Sequence, residues 1–571
     1  MGKKLSAALL PVLMALPVAP SPAFAAGNQA LDARFRTALP EDSRAAHALN
    51  RLTFGPRPGG IEQLNAIGLK AWIESQLHPD RIPENPLLAA KLEMLDTLDM
   101  STDELVRRYP TPQMVRQMVS GRAPFPTGPD QLMMVRALAA RIAAKHGQDG
   151  QSSPPALEEK LAAGPLLPED LQSLRAVPPP NRIAALLAMP PGKQDEVLGA
   201  LGPGMRQALF VVAPPALRRR IEMAGGPAQV VARDLAEAKM LRAIYSNRQL
   251  AEVLDDFWFN HFNVFLDKGA DRYLVTAYER DVIRPRVLGK FRDLLEAVAK
   301  SPAMLFYLDN WESVGGAAAA GRGAANRVRR GLNENYAREL LELHTLGVNG
   351  GYTQRDVTEV ARCFTGWTIT QPQRGGAFVF NPRWHDNAAK TVLGVTIPAG
   401  GGEQDAESVL DILARHPSTA HFVSLQLAVR FVADDPPPSL VNRMAARFLK
   451  SGGEIRAVLA AMLQSPEFWS AGAYRSKMKS PFEMAVSAVR AASGDVDFAF
   501  GLVNQVAQMG QPLYRKMEPN GYSNQSRDWQ STAGLVGRMN FAVQLAANRV
   551  PGVTVKAAQA AALGSPEFQN R

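Results

Sequence analysis

Hydrophobic positions along this chain recur mostly at steps of three and four, the spacing that gathers side chains on one face of an α-helix. The clearest case is 333–368. There Ala337, Leu340, Leu341 and His344 form one stripe, and Asn335, Glu339 and Glu342 lie on another side. Asn349-Gly350-Gly351 breaks the run, and Thr353 with Asp356 three residues on predicts the N-cap of a second helix burying Val357, Val360, Ala361 and Phe364. The same spacing predicts helices over 30–98, broken at Gly55-Pro56, and over 228–300. In the latter, Leu250, Val253, Leu254, Phe257, His261 and Phe262 share a face, flanked by Asn260 and Asn263. A glycine-alanine loop at Gly315–Gly323 leads to the central hairpin. The pattern changes once: Thr368–Thr370, Ala377–Phe380 and Thr391–Ile397 alternate or are β-branched, which predicts a small two- or three-stranded sheet. Helical spacing returns from 405 to 560, with Asp434–Pro438 as a stop and a polar loop at 520–531.

Residues 99–226 read differently. Proline, alanine and glycine dominate, and Pro179, Pro191, Pro203 and Pro215 are spaced by twelve, with Arg182, Lys193, Arg206 and Arg218 following them. Proline fits the first turn of a helix but not its middle, so this period predicts a file of one-to-two-turn helices. It reads as a small solenoid-like or hairpin insertion, either a partner-binding arm or an ordered surface element. The fold predicted is mainly α, with a multi-helix globular core formed by 26–98 and 227–571. The core carries a small β-sheet insertion at 368–397 and a proline-punctuated helical insertion at 99–226.

Several of these stretches carry a resemblance. NENYARELLELHTLGVNGGYTQRDVTEVARCFTGW, HALNRLTFGP (47–56), SPAMLFYLDN (301–310), HPSTAHFVSLQLAVRFVADDPP (416–437) and SPEFW (465–469) resemble the bacterial family called domain of unknown function 1800. The resemblance runs from about Ala46 to Asn548, interrupted by the insertion. It implies export and a helical architecture, but no established reaction. It also implies a partner, an exported sulfatase-like protein of the domain of unknown function 1501 family, encoded beside relatives that this chain resembles. The resemblance covers His416, whereas His421 and Gln426 stand where relatives carry basic residues.

Residues 1–25 fit a secretory leader, with Lys3 and Lys4, an apolar run Leu5–Val18, and Ala23-Phe24-Ala25 as a cleavage site. Pro11 and Pro17 interrupt a run already short for a membrane anchor. No transmembrane span is expected once the leader is removed, and the expected location is periplasmic or secreted. Lysine and arginine exceed aspartate and glutamate by ten over 571 residues. Spread so thinly, this excess does not make the concentrated basic stripe of a nucleic-acid binder. Cys363 is the single cysteine, so no internal disulfide is available; its expected place is a buried apolar site.

Candidate chemistry rests on ionisable groups with reason to converge. His261 stands on an aromatic stripe, Glu339, Glu342 and His344 on the central helix, and His385, Asp386 and Lys390 between predicted strands. Neutral imidazole with carboxylate is a ligand set for a divalent metal ion, so His261 and His385 are candidate metal ligands. Glu339, Glu342 and Asp386 are candidate catalytic carboxylates, with Asp386 in place to orient His385. On an α-helix Glu339 and His344 stand about 140° apart, too far to share one metal. No HExxH, GxSxG or Walker pattern occurs. The bland alternative spends these groups locally, with Arg338 pairing Glu342, His261 and His344 as core histidines, and Lys477 and Lys479 on a solvated face. The functional readings are a metal-dependent hydrolase or oxidase, or a non-catalytic accessory or scaffold protein. A third, carbohydrate or cell-wall binding, rests on Trp367, Trp384 and Trp529 near loops.

Overall fold

The computed structural model describes residues 33–126, 135, 138–139, 168–315, 331–556 and 560–571. The leader, much of the first half of the 99–226 segment, and the glycine-alanine stretch beyond Gly315 lie outside the described residues. What is described is mainly helical, with three separate two-stranded antiparallel sheets. No described helix is long and apolar enough to cross a membrane.

The twelve-residue period becomes a stack of helices. Pro191, Pro203 and Pro215 each open one, at α1 (Pro191–Ala200), α2 (Pro203–Val212) and α3 (Pro215–Gly225). At ten or eleven residues these exceed the one or two turns predicted. Proline at the first position loses only a donor that would have been free. The recurring arginine has an internal task. Arg182 donates from Nε to the Val177 carbonyl (2.9 Å), Arg206 donates to Leu201, and Arg218 to Ala213 (2.7 Å). Each reaches back five residues to an orphan carbonyl at the preceding break, satisfying what the helix end leaves open. These three arginines are thus tied to carbonyls of the stack, and Arg218 also pairs with Asp497 at 2.6 Å. Leu186, Val197, Leu198, Leu209, Phe210, Leu217 and Ile221 give the stack its own small core, which closes on Phe498 and Phe500.

The main core is built around α4 (Pro227–Tyr245). Only Gln229, Arg233 and Arg242 of its nineteen residues escape burial, so this helix is enclosed on nearly every side. Next to it lie α5 (Gln249–His261) and α6 (Asp271–Ala277), the latter running on as a π-helical turn at Tyr278–Ile283. The central hairpin has the predicted second helix, α8 (Gln354–Cys363), with Thr353 and Asp356 forming the capping box. Its first helix departs from expectation. α7 (Asn335–Glu339) passes into a π-helical turn at Leu340–Thr345, where the Leu346 N–H reaches the Leu341 carbonyl five residues back at 2.8 Å. The extra residue in that turn voids an angular argument made at α-helical pitch. Arg338 pairs with Glu334 and Gln354 rather than with Glu342.

The β insertion is two hairpins rather than one sheet. β1 (Trp367–Ile369) pairs with β2 (Phe378–Phe380), and β3 (Lys390–Val392) with β4 (Val395–Ile397). Thr391–Ile397, read as a single strand, turns back at Leu393-Gly394, both at positive φ as the tightest hairpin turns require. A further pair, β5 (Asp495–Val496) with β6 (Val553–Thr554), carried no pattern long enough to see. Beyond the insertion, α9 (Gln404–Ala414), α10 (Pro417–Phe431) and α11 (Pro481–Ala491) complete the elements that frame the sites below.

Candidate functional site

The predicted residues fall into three places that do not merge. His261 ends α5 and engages the His344 carbonyl through Nε2 at 3.1 Å, among Phe257, Trp258, Phe262 and Phe422. A carbonyl only accepts, so the ring proton sits on Nε2. Burial holds this imidazole down at about 4, and burial with the neighbouring His261 holds His344 at about 3. Both are neutral core histidines. His47 is a third, bonded to the Phe468 carbonyl at 2.8 Å.

Glu339 and Glu342 stand at the edge of the same hairpin. Glu342 accepts from the Tyr352 hydroxyl at 3.0 Å. Burial, and then Glu342, raise the Glu339 carboxyl above its ordinary value.

The third place is the loop between hairpins. His385 is buried, with Nδ1 at 2.8 Å from the Thr365 carbonyl and Nε2 at 3.0 Å from Oδ2 of Asp405. Lys390, at the start of β3, ion-pairs with the same Asp405 oxygen and donates to the Asp386 carbonyl. Asp405 in the first turn of α9, which sequence reading missed, thus orients His385. Asp386 does not. Its carboxylate is held by Arg362 at 2.8 Å, and that hydrogen bond lowers its pKa. His416 caps α10, with Nδ1 accepting from the Ser418 N–H at 3.1 Å.

A metal shared by these groups does not fit. Both nitrogens of His385 and the Nε2 of His261 are engaged elsewhere, and no three His, Cys, Asp or Glu among the described residues are grouped to hold a metal ion. Cys363 is buried as expected, and burial raises its thiol to about 12, far from a thiolate.

The structure gathers charge elsewhere, at a cavity of about 50 Å³ between α4, α5, α10, α11 and the 511–529 loops. Lys239 of α4 pairs with Asp256 of α5 at 2.9 Å, and Asp256 faces Arg430 of α10 at 3.9 Å. Arg430 pairs with Glu483 of α11, and Glu483 with Arg571 at 3.1 Å. Arg571 is placed by backbone pairing with Lys477, the Arg571 N–H donating to its carbonyl at 2.7 Å. The result is an alternating row of five charges, three positive and two negative. Burial opposes ionisation of Glu483, but Arg430 and Arg571 outweigh it and hold the carboxyl at about 2. For Lys239, burial is likewise outweighed by Asp256, Glu279 and Asp255, and its pKa rises.

The wall of this cavity explains the polar loop. Asn260 receives the Tyr522 N–H and donates to the Tyr522 carbonyl, both at 2.6 Å, while Asn263 donates to the carbonyls of Lys516 and Glu518 at 2.9 Å. Gly521 must be glycine here. Its φ is +67°, and a Cβ would stand 2.2 Å from the Asn260 carbonyl oxygen. Trp529 and Tyr522 form the outer edge, whereas Trp367 is fully buried and serves packing. Lys477 and Lys479, read as a solvated face, are buried behind Arg571.

Sequence reading missed Lys239, Asp256, Arg430, Glu483 and Arg571. The available signal was a charge inside an apolar run, as in LQLAVRF around Arg430 or LAEAKML around Lys239.

No curated protein and no solved structure matches the chain. With its capped central hairpin and the helices packed about it, the chain belongs to the family described as Protein of unknown function (DUF1800), whose model matches residues 47–570.

Proposed function

We propose that this is an exported, non-catalytic accessory protein whose working site is the charged cavity at Asp256, Arg430 and Glu483. We further propose that it acts beside a sulfatase-like exported partner. One observation carries the choice over a metal-dependent hydrolase or oxidase. The cavity's charges close on one another as ion pairs, while His261, His385, Glu342 and Asp386 are each held by a separate neighbour. A glutamate held at about 2 between two arginines is a poor proton acceptor near neutrality, and a lysine held cationic is a poor nucleophile.

The test is metal analysis of the full chain purified from the exported fraction without chelators, for wild type, Glu339→Gln and His385→Gln. Metal far below one ion per chain in all three is the expected result. Near-stoichiometric metal that Glu339→Gln removes would restore the enzyme reading. Cross-linking in the same fraction is expected to capture the sulfatase-like neighbour. An acid–base reading retains one specific support, the raised carboxyl of Glu339 beside Glu342. A hydrolytic activity of the purified protein that Glu339→Gln abolishes would favour it.

A further inference from the structure

The row of charges ends on a surplus. Around Arg571, the buried cations Arg51, Arg430, Lys477, Lys479 and Arg538 outnumber the carboxylates that face them, Glu483, Asp434 and Asp256. The Lys239 end is different, since Asp256, Asp255 and Glu279 surround that ammonium. The surplus is not hidden by local bonds. Arg571, with its side chain 4% exposed, gives Nη2 to Glu483 and to the Arg430 carbonyl but leaves Nε and Nη1 without a partner. Nη2 of Arg430 has no hydrogen bond, and Nε and Nη1 of Arg51 behind it have none. Unmet guanidinium donors at such depth are costly, and native proteins satisfy them with water, an ion or a ligand. Arg430 and Arg571 both line the cavity, next to Ser480, Gln511 and Asn524. Its volume admits roughly a few waters or one small oxyanion group.

We propose that this cavity binds an oxyanion, with the unmet Nε and Nη1 of Arg571 and Nη2 of Arg430 as its donors and Tyr522 and Trp529 beside them in the lining. Several N–H donors from two guanidinium groups match the separate oxygens of carboxylate, phosphate or sulfate better than they match a spherical halide. Burial lowers these cations first, and repulsion among them adds to it: burial, then Arg430, bring the Arg571 guanidinium down to about 9, and burial, with a smaller push from Arg571, brings Lys479 down to about 7. An anion arriving there relieves that repulsion. This inference rests on the cavity being the working site, and it names the chemistry the cavity takes.

The test titrates the full chain with sodium sulfate, sodium phosphate and sodium acetate, each against sodium chloride at equal ionic strength. Heat is read by calorimetry and Tm in parallel. Saturable binding of at least one oxyanion is expected, weakened at least about tenfold in Arg571→Met. The phosphate and sulfate arms report a tetrahedral ligand and the acetate arm a carboxylate. Arg430→Lys, which keeps a cation opposite Glu483 but removes the fork, is expected to weaken the same anion and serves where Arg571→Met does not fold. Generic salting-out by sulfate or phosphate would act equally on wild type and variants. Equal response to chloride and oxyanions, or undiminished binding in the variant that folds, overturns the proposal. Neither result alters the metal content, so failure here stays distinct from failure of the accessory reading.

Discussion

Replacing Asp405 by leucine isolates the meaning of the His385–Asp405–Lys390 group. The Lys390 and Asp405 side chains are 0% and 1% exposed, so the single change leaves an ammonium in the core with the Asp386 carbonyl and His385 as its remaining partners. Removing one partner of such a pair costs about 3–5 kcal/mol, whereas replacing both by apolar groups is often neutral. With an unfolding entropy near 2.1 cal/mol/K per residue, a chain of 571 residues unfolding as one unit loses about 1.2 kcal/mol per kelvin at its midpoint. Asp405→Leu should therefore lower Tm by about 3–4 °C in differential scanning calorimetry. The double variant Lys390→Met/Asp405→Leu should return to within about 1 °C of wild type, because no charge is left stranded. A single variant within 1 °C of wild type would mean that water reaches the pair. A double variant as unstable as the single would mean that the site's role is not a matched pair of charges. Either result refutes the reasoning.

Three further outcomes follow from the same geometry. His344 is held at about 3 when folded against about 6.5 unfolded, so the unfolded chain takes up a proton that the folded chain refuses. Its contribution is lost as pH falls from 6.5 towards 3. His344→Phe, referenced to its own stability at pH 7.5, should thus lose about 3 kcal/mol less than wild type by pH 4, read from urea midpoints. An identical acid slope would show that the imidazole is hydrated. Gly521→Ala should cost more than about 1 kcal/mol and speed tryptic cleavage at Arg515 or Lys516, since the Cβ cannot stand against the Asn260 carbonyl. Unchanged cleavage would place the loop's anchor elsewhere. Deleting 168–225 uncovers Phe498 and Phe500, so an apolar dye should bind the truncated chain more strongly than the intact one. Equal binding would mean that the stack is not part of the core's cover.

How far the chain could be read depended on whether a feature was local. The capping box at Thr353 and Asp356, the prolines opening α1, α2 and α3, and the buried face Val357-Val360-Ala361 are set within a few residues, and each was legible. The π-helical turn at Leu340–Thr345 was not, because its hydrophobic stripe is the one an α-helix would show. Nor were the partners of the ionisable groups. Asp386 lies next to His385 in sequence, yet Asp405, twenty residues on, takes the ring because α9 brings its first turn there. Arg362 captures Asp386 across a comparable separation. Adjacency suggests a pair; only packing assigns one.

The same distinction decides where function is sought. A histidine on an apolar stripe can be held by one carbonyl, as His261 is, and such a residue says little about chemistry. A buried guanidinium has five donors and a charge that cannot be shed cheaply, so one or two carbonyls do not settle it. Arg51 shows the limit of local satisfaction. It donates to the carbonyls of Val432 and Ala473 and to Ser476, all through Nη2, and still leaves Nε and Nη1 unmet. Arg430 and Arg571 at one opening, with Arg51 behind them, form an arrangement that packing alone would not favour, because an apolar side chain of the same size would cost less. The arginines inside the helical body, more than its histidines, are therefore where the proposed oxyanion is to be sought.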